Sequence, residues 1–276
     1  MKYKISILMP ALNEEKNIQR AIQLVLDSFS ILNIQGEIVV INDGSRDKTE
    51  LKVKAMQRIH SNIKLVSHPK NQGVGASYWT GLKVAEGELI TWMPGDGETD
   101  CYETLRYLPL LQHVDIVIPF IYNRNVRSFW RKQISKAYKL IINLTFGTLL
   151  NYMNGATIYR KCVLDQIDLK TKGFFFQVEL LMKSIQLGYL YAEVPCALRQ
   201  RISGKSKALT LQSFLNVVRD YIITTVAIYK TKNILEGQKL HPDSVTARRR
   251  NDLELKPEVS PVRVKPRSTE KFHEAH

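Results

Sequence analysis

Asp96 and Glu98 are the residues around which the chemistry of this chain is organised. They follow the apolar run Leu89-Ile90-Thr91-Trp92-Met93 after a Pro94-Gly95 break, with Gly97 between them. A short apolar run bounded by turn residues reads as a buried strand. The glycines turn the backbone sharply, so both carboxylates emerge at the strand's C-terminal end, where open α/β sheets bind ligands. Two hard oxygen donors suit Mg²⁺ or Mn²⁺, with the phosphates of a substrate completing the shell. The stretch also reads as a polar turn whose acids are merely solvated, and upstream residues must decide between the two.

Upstream, strands alternate with helical patterns. Ile5–Met9 is a strand stopped by Pro10, and Asn13-Glu14-Glu15 opens a helix with Ile18, Ala21, Ile22, Val25 and Leu26 on one face. Glu37–Ile41 and Ile63–Ser67 are further strands, and residues 74–86 are helical. This alternation predicts crossover units and a mostly parallel sheet flanked by helices. In such a sheet the loops at Asn13-Glu14, Asp43-Gly44-Ser45, His68-Pro69 and Asp96-Gly97-Glu98 line one edge, the shape of a nucleotide site. Asp43 could accept hydrogen bonds from a base or ribose, or simply cap the next helix. Gly73-Val74-Gly75 could approach an anion, but tight helix–sheet packing explains it as well. It lacks both the third glycine of a dinucleotide fingerprint and the Gly-Lys-Ser/Thr of a phosphate loop.

The chain has 276 residues and a net charge of +14. Residues 241–276 contribute only +2 of that charge, so the body is basic and suited to polyanionic partners. No acidic residue lies between Asp115 and Asp165, an interval holding eight Lys/Arg interleaved with apolar residues. A basic amphipathic helix from about Ser128 fits the headgroup layer of an anionic membrane. A second acid-free interval runs from Glu193 to Asp220 and contains the segment Arg201-Ile202-Ser203-Gly204-Lys205-Ser206-Lys207, suited to clamping an anion. Residues 209–229 are helical, with Leu211, Phe214, Leu215, Val218, Ile222, Val226 and Tyr229 on one stripe, for membrane contact or an oligomer interface. Arg219-Asp220 makes spanning costly. Beyond Gly237 no periodicity is visible and a disordered tail is expected. The three scattered cysteines, the absence of a signal-peptide core and the lack of about 20 uninterrupted apolar residues point to the cytoplasm. No helix-turn-helix, zinc or RNA-binding signature supports nucleic acid as the polyanion, so a basic nucleic-acid-binding protein is the remote alternative.

Taken in order, Pro10-Ala11-Leu12-Asn13-Glu14, Asn42-Asp43-Gly44-Ser45, Asn71-Gln72-Gly73-Val74-Gly75 and Asp96-Gly97-Glu98 resemble glycosyltransferase family 2. Its fold is GT-A, a Rossmann-like nucleotide-diphospho-sugar transferase fold, and the branch most resembled is the dolichyl- or polyprenyl-phosphate sugar transferases. The resemblance runs from about Lys4 to Lys207. It implies a transferase domain over residues 1–208, an amphipathic helix over 209–232 and a charged tail over 237–276. It implies that Pro10, Asn13, Glu14, Asp43 and Gly73 hold the nucleotide-sugar together with Asp96. Asp96 and Glu98 become the metal ligands and catalytic acids. The family's triplet usually reads Asp-Ala-Asp with a Gln two residues on. Here Pro94 replaces its first Asp, Asp96 matches its second, and Glu98 stands at the Gln position.

Downstream, the resemblance gives Arg127, Arg131, Ser135, Arg201, Ser206 and Lys207 to an acceptor phosphate, with Arg201 also in a catalytic role. Asn151 stands where relatives commonly carry Asp. Glu179 is the candidate base should the acceptor be a hydroxyl. The expected reaction is inverting, metal-dependent transfer of a hexose from a UDP- or GDP-sugar to a polyprenyl or dolichyl phosphate, by a peripheral protein on the cytoplasmic membrane face. A family 2 enzyme adding sugar to a saccharide in envelope polysaccharide synthesis is the alternative, and a glycolipid acceptor lies between the two.

Overall fold

A computed structural model describes the backbone of residues 4–122, 129–169, 171–197, 211–235 and 242–254. Side chains are described for residues 4–122, 133–169, 171–197, 216–230 and 242–249. The strands are β1 (Lys4–Ala11), β2 (Gln35–Asn42), β3 (Ile63–Ser67), β4 (Leu89–Trp92), β5 (Ile116–Ile121), β6 (Ile158–Arg160) and β7 (Tyr191–Cys196). Helices α1 (Ile18–Ile31), α2 (Thr49–Gln57) and α3 (Val74–Val84) connect the first four strands. After them come α4 (Cys101–Leu105), α5 (Phe129–Phe146), α6 (Lys161–Leu164), α7 (Phe176–Gln186), α8 (Leu211–Leu235) and α9 (Val245–Glu254).

The seven strands form one sheet in the order β3-β2-β1-β4-β6-β5-β7. All pairings are parallel except those of β6, which runs antiparallel to both β4 and β5. Both faces are covered, so the strands are apolar nearly throughout. Alternate residues serve opposite faces. Ile5, Ile7 and Met9 pack with Ile18, Ile22 and Val25 of α1, while Leu8 packs on the other side with Tyr78 and Leu82 of α3 and Phe176 of α7. The α/β class and the mostly parallel sheet are as the sequence predicts.

The C-terminal tail departs from expectation. The expected structureless tail does not hold for residues 242–254, because α9 forms there and docks. Asp115, fully buried just before β5, accepts from Val245 N at 2.6 Å, from Thr246 N at 3.3 Å and from Thr246 Oγ1 at 2.5 Å. A carboxylate at a helix N-terminus satisfies its first N–H groups and opposes the helix dipole. α8 packs on the protein through a mixed face: Asp220, Thr224 and Ile228 are buried and Val217 and Tyr221 partly so, while Val218, Ile222, Val226 and Tyr229 are exposed.

Nor does the first acid-free interval form one basic face. Arg160 turns inward, donating to the Leu111 carbonyl and lying 3.8 Å from Asp115. Lys161 donates to the Ala85 carbonyl at 2.7 Å. Both cap the N-terminal edge of the sheet, away from the loops predicted to bind ligand. Lys136 and Lys139 remain on α5.

Candidate active site

β1 has β2 on one side and β4 on the other, so the chain reverses its order of addition between β1 and β4. Ligands of open α/β sheets sit outside the carboxyl ends of the strands at such a point. The loops there are tied to one another by backbone bonds. Gly95 N donates to Pro10 O at 3.0 Å, Asp43 N to Ala11 O at 2.9 Å, and His68 N to Asn42 O at 2.9 Å. Asp96 and Glu98 are half-buried beside this crevice. Asp96 Oδ1 accepts from Glu98 N at 3.0 Å, closing a turn in which Gly97 adopts φ 71°, a left-handed value that favours glycine.

Among the described residues no cluster of three or more carboxylate, His or Cys donors exists. The turn after β4 carries two carboxylates, Asp96 and Glu98, two residues apart. That donor set fits Mg²⁺ or Mn²⁺, which are commonly held by one or two carboxylates with substrate phosphates and water filling the remaining positions.

The loops from β1 and β2 are sewn together by the residues predicted to hold the nucleotide. Asn13 adopts φ 56°; its N donates to Ser45 Oγ at 2.9 Å and its Oδ1 accepts from Arg46 N at 2.8 Å. Glu14 N donates to Thr49 Oγ1 at 2.8 Å, and the Glu14 carboxylate accepts from Asn17 Nδ2 at 2.7 Å. Asp47 joins the same seam, accepting from Glu15 N at 3.0 Å and Thr49 N at 3.0 Å. Burial alone would raise the Asp47 carboxyl pKa, but the hydrogen bonds from Thr49 and Glu15 outweigh it and hold the group below its ordinary value.

Asp43 is 4% exposed, and its carboxylate is engaged within the protein. It accepts from Gln72 N at 2.8 Å and Gly73 N at 2.9 Å, and lies 2.8 Å from His68 Nδ1. With the proton on Nδ1, His68 Nε2 accepts from the Thr80 hydroxyl at 3.0 Å. Asp43 thus braces the 71–73 loop. Gly73 itself has φ 97°, and a Cβ there would lie 2.7 Å from the Lys172 carbonyl oxygen. Asp43→Asn removes one acceptor from this brace. It is expected to lower stability by about 1–3 kcal/mol and to raise the KM for the nucleotide-sugar by about tenfold or more. Urea melts and donor saturation curves measure the two effects.

Glu179 is not a cleft residue. It is fully buried, accepts from Thr171 N at 2.8 Å and pairs with Lys183 Nζ at 2.6 Å. A carboxylate sealed from solvent and paired in this way fixes the approach to α7. Sealed in this way, Glu179 does not suit the role of base that a hydroxyl acceptor would require.

Beyond β4 the 151–156 loop returns to the same edge. Trp92 Nε1 donates to Gly155 O at 3.0 Å. In the orientation that satisfies its neighbours, the Gln177 amide donates to Gly155 O and Asn154 O, both at 3.2 Å. Ser135, Tyr138 and Lys139 of α5 line a small polar pocket against Asn151, Tyr152 and Asn154. Burial pushes the Tyr138 hydroxyl well above its ordinary pKa, and its bond to Asn154 offsets this only in part, so it stays neutral. Of the predicted acceptor residues, only Ser135 has a described side chain; Arg127, Arg131, Arg201, Ser206 and Lys207 lie outside the described side chains. Trp92 and Gln177 join this edge through contacts of long sequence separation.

The fold is an α/β sheet of GT-A architecture, with Asp96 and Glu98 in the loop after β4 at its switch point. Residues 6–168 match the model of glycosyl transferase family 2, and the chain belongs to that family. It is 35% identical over 100 residues to a dolichyl-phosphate beta-glucosyltransferase of Trichomonas vaginalis, a match covering 34% of this chain and 31% of that protein. It is 28% identical over 164 residues to an undecaprenyl-phosphate 4-deoxy-4-formamido-L-arabinose transferase of Salmonella choleraesuis, covering 59% and 50% respectively. The chain thus spans about a third to a half of the length of the curated relatives it matches.

Among solved structures, glucosyl-3-phosphoglycerate synthase of Mycobacterium tuberculosis superposes with a TM-score of 0.61 at 21% identity, over 81% of this chain and 80% of that one. The same enzyme bound to Mn²⁺, UDP-glucose and phosphoglyceric acid gives 0.59 at 20% identity, with the same coverage. These likenesses establish the fold.

Proposed function

We propose that this chain transfers a hexose from a UDP- or GDP-sugar to a polyprenyl or dolichyl phosphate at the cytoplasmic face of an anionic membrane, with inversion at the anomeric carbon. The observation that carries the lipid acceptor is the exposed apolar face of α8, formed by Val218, Ile222, Ile223, Val226 and Tyr229. α5 adds to it: Leu144 is 75% exposed, and Leu149 just beyond the helix is 91% exposed. The two helices adjoin, since Tyr221 OH lies 2.7 Å from Thr145 Oγ1 and Tyr229 OH donates to Thr145 O at 2.6 Å. Outward apolar side chains beside Lys136 and Lys139 suit a headgroup layer. No described helix is long and apolar enough to cross a membrane. The curated relatives named above are transferases of dolichyl and undecaprenyl phosphate, which agrees with this acceptor class.

In this reading residues 1–208 form the transferase unit and α8 is its membrane-facing appendage, with oligomerisation through α8 as the alternative use of that face. Pro10, Asn13 and Glu14 shape the donor crevice, and Asp43 holds the Gly73 loop against it. Asp96 and Glu98 would hold Mg²⁺ or Mn²⁺ against the donor diphosphate, where a divalent ion supplies Lewis-acid stabilisation of the leaving group. An acceptor phosphate is already anionic near neutral pH and needs cations to place it rather than a strong base. Arg127, Arg131, Arg201 and Lys207 are proposed for that task, with Ser135 and Ser206 as hydroxyl donors.

The test is a panel of radiolabelled nucleotide-sugars with polyprenyl phosphate in anionic vesicles and Mg²⁺ or Mn²⁺. Label entering the organic-extractable fraction is expected. Label confined to polysaccharide or to a water-soluble product would overturn the lipid acceptor. Charging the outer face with Ile222→Asp and Val226→Asp together is expected to weaken sedimentation with anionic vesicles by at least about tenfold. Transfer to a soluble short-chain acceptor should persist in the same variant.

A further inference from the structure

The geometry points to Glu193 as an acceptor-side positioning residue in this chain, which grips Asn151 with both carboxylate oxygens. This rests on the reading that the acceptor docks beside α5. Glu193 lies on β7, where it pairs in register with Ile118 of β5. Its Oε1 accepts from Asn151 N at 2.7 Å and its Oε2 from Asn151 Nδ2 at 3.0 Å. Two parallel bonds to one residue fix orientation as well as distance, as a bidentate carboxylate does elsewhere.

The grip matters because of what the loop carries. Asn143 of α5 clasps its start, donating to Leu150 O at 3.0 Å and accepting from Leu150 N at 3.1 Å. Thr91 and Trp92 of β4 hold its end through Ala156 O and Gly155 O, each at 3.0 Å. Between those anchors Glu193 holds Asn151 through two bonds. Asn151, Tyr152 and Asn154 then face Ser135 and Lys139 across the polar pocket. Trp92 also lies four residues before Asp96, so one frame spaces the donor carboxylates and this pocket. The pocket offers an ammonium, a hydroxyl and amides, the chemistry of a phosphate or sugar headgroup. A displacement of about 1 Å in a loop that positions a reactant is enough to cost reactivity heavily.

Asn151→Asp would set a second carboxylate against Glu193, across the 3.0 Å that the amide bond now spans. Two carboxylates sharing a site cannot both ionise freely, and the pair then titrates as a unit with one proton retained toward neutral pH. Among the described residues, Lys139 is the cation lining the same pocket, with Tyr138 and Tyr152 as its other titratable groups.

The test compares wild type with Asn151→Asp and with the double variant Asn151→Asp, Glu193→Gln, which keeps the wild-type net charge while reversing the donor and acceptor of the side-chain bond. Asn151→Asp is expected to raise the acceptor KM by about tenfold at pH 8 and to recover toward pH 5.5, with donor KM unchanged. The double variant is expected to return to within about threefold of wild type with no added pH dependence. Amide hydrogen exchange over residues 151–156, read on the protein alone against wild type at each pH, should accelerate only in the single variant at pH 8. That readout separates failure of the clamp from failure of the lipid acceptor, since it holds whichever acceptor the enzyme uses. A single variant matching wild type in both exchange and KM across the pH range, or a double variant no better than the single one, would overturn the inference.

Discussion

Asp96→Ala and Asp96→Asn should each lower sugar transfer by about 10³-fold, a loss of about 4 kcal/mol in transition-state stabilisation. The two substitutions divide the role of the residue. Alanine removes both the charge and the acceptor for Glu98 N, whereas asparagine keeps an oxygen for that 3.0 Å bond and removes only the charge. Equal losses would show that the charge carries catalysis; a mild asparagine variant would show that the turn does. The side chain is half-buried in a loop at the sheet edge, so the thermal midpoint should move little in either case. The loss should fall on kcat with saturating donor, because charge develops on the leaving diphosphate as the bond breaks. Residual activity within threefold of wild type would remove Asp96 from the mechanism.

Asp115→Ala should cost about 3–5 kcal/mol of stability, the scale for breaking a buried charge away from its partners. The carboxylate is fully buried and accepts from Leu190 N at 3.2 Å as well as from Val245 and Thr246. Its removal orphans those donors and leaves Arg160, 3.8 Å away, without its counter-charge. The same change frees the start of α9, so proteolysis near Ser244 should accelerate along with a lower urea midpoint. Asp115 sits at the N-terminal edge of the sheet, opposite the switch point, so the surviving folded fraction should keep the wild-type KM for donor. An unchanged urea midpoint would mean that α9 contributes nothing to folding.

The meeting of the β1, β2 and β4 loops at one edge was legible because parallel strands oblige their loops to meet. The alternation of Ile5, Ile7 and Met9 with Leu8 marks a doubly covered strand, and such a strand ends where its neighbours end. Asp96 and Glu98 could therefore be placed at the crevice from the turn that carries them. Direction of burial was less accessible. Periodicity located the α8 stripe, but not that Asp220 and Thr224 would be buried beside Ile228 while Val218, Ile222 and Val226 stay exposed. Glu179 presented the same ambiguity, and its pairing with Lys183 one turn on resolved it. α9 escaped detection because Val245–Glu254 has no apolar periodicity; a single buried carboxylate 130 residues upstream anchors it. The Glu193–Asn151 clamp spans 42 residues, and β6 has three, both beyond local pattern.

The central claim is that the carboxylates after β4 bind a divalent ion together with the donor diphosphate. Calorimetric titration of UDP and GDP, with and without Mn²⁺, into wild type and Asp96→Asn tests it most directly. The account predicts that Mn²⁺ tightens the preferred nucleotide by about tenfold or more in wild type and leaves the variant unmoved. Nucleotide binding of equal strength with and without the ion in both proteins would contradict it.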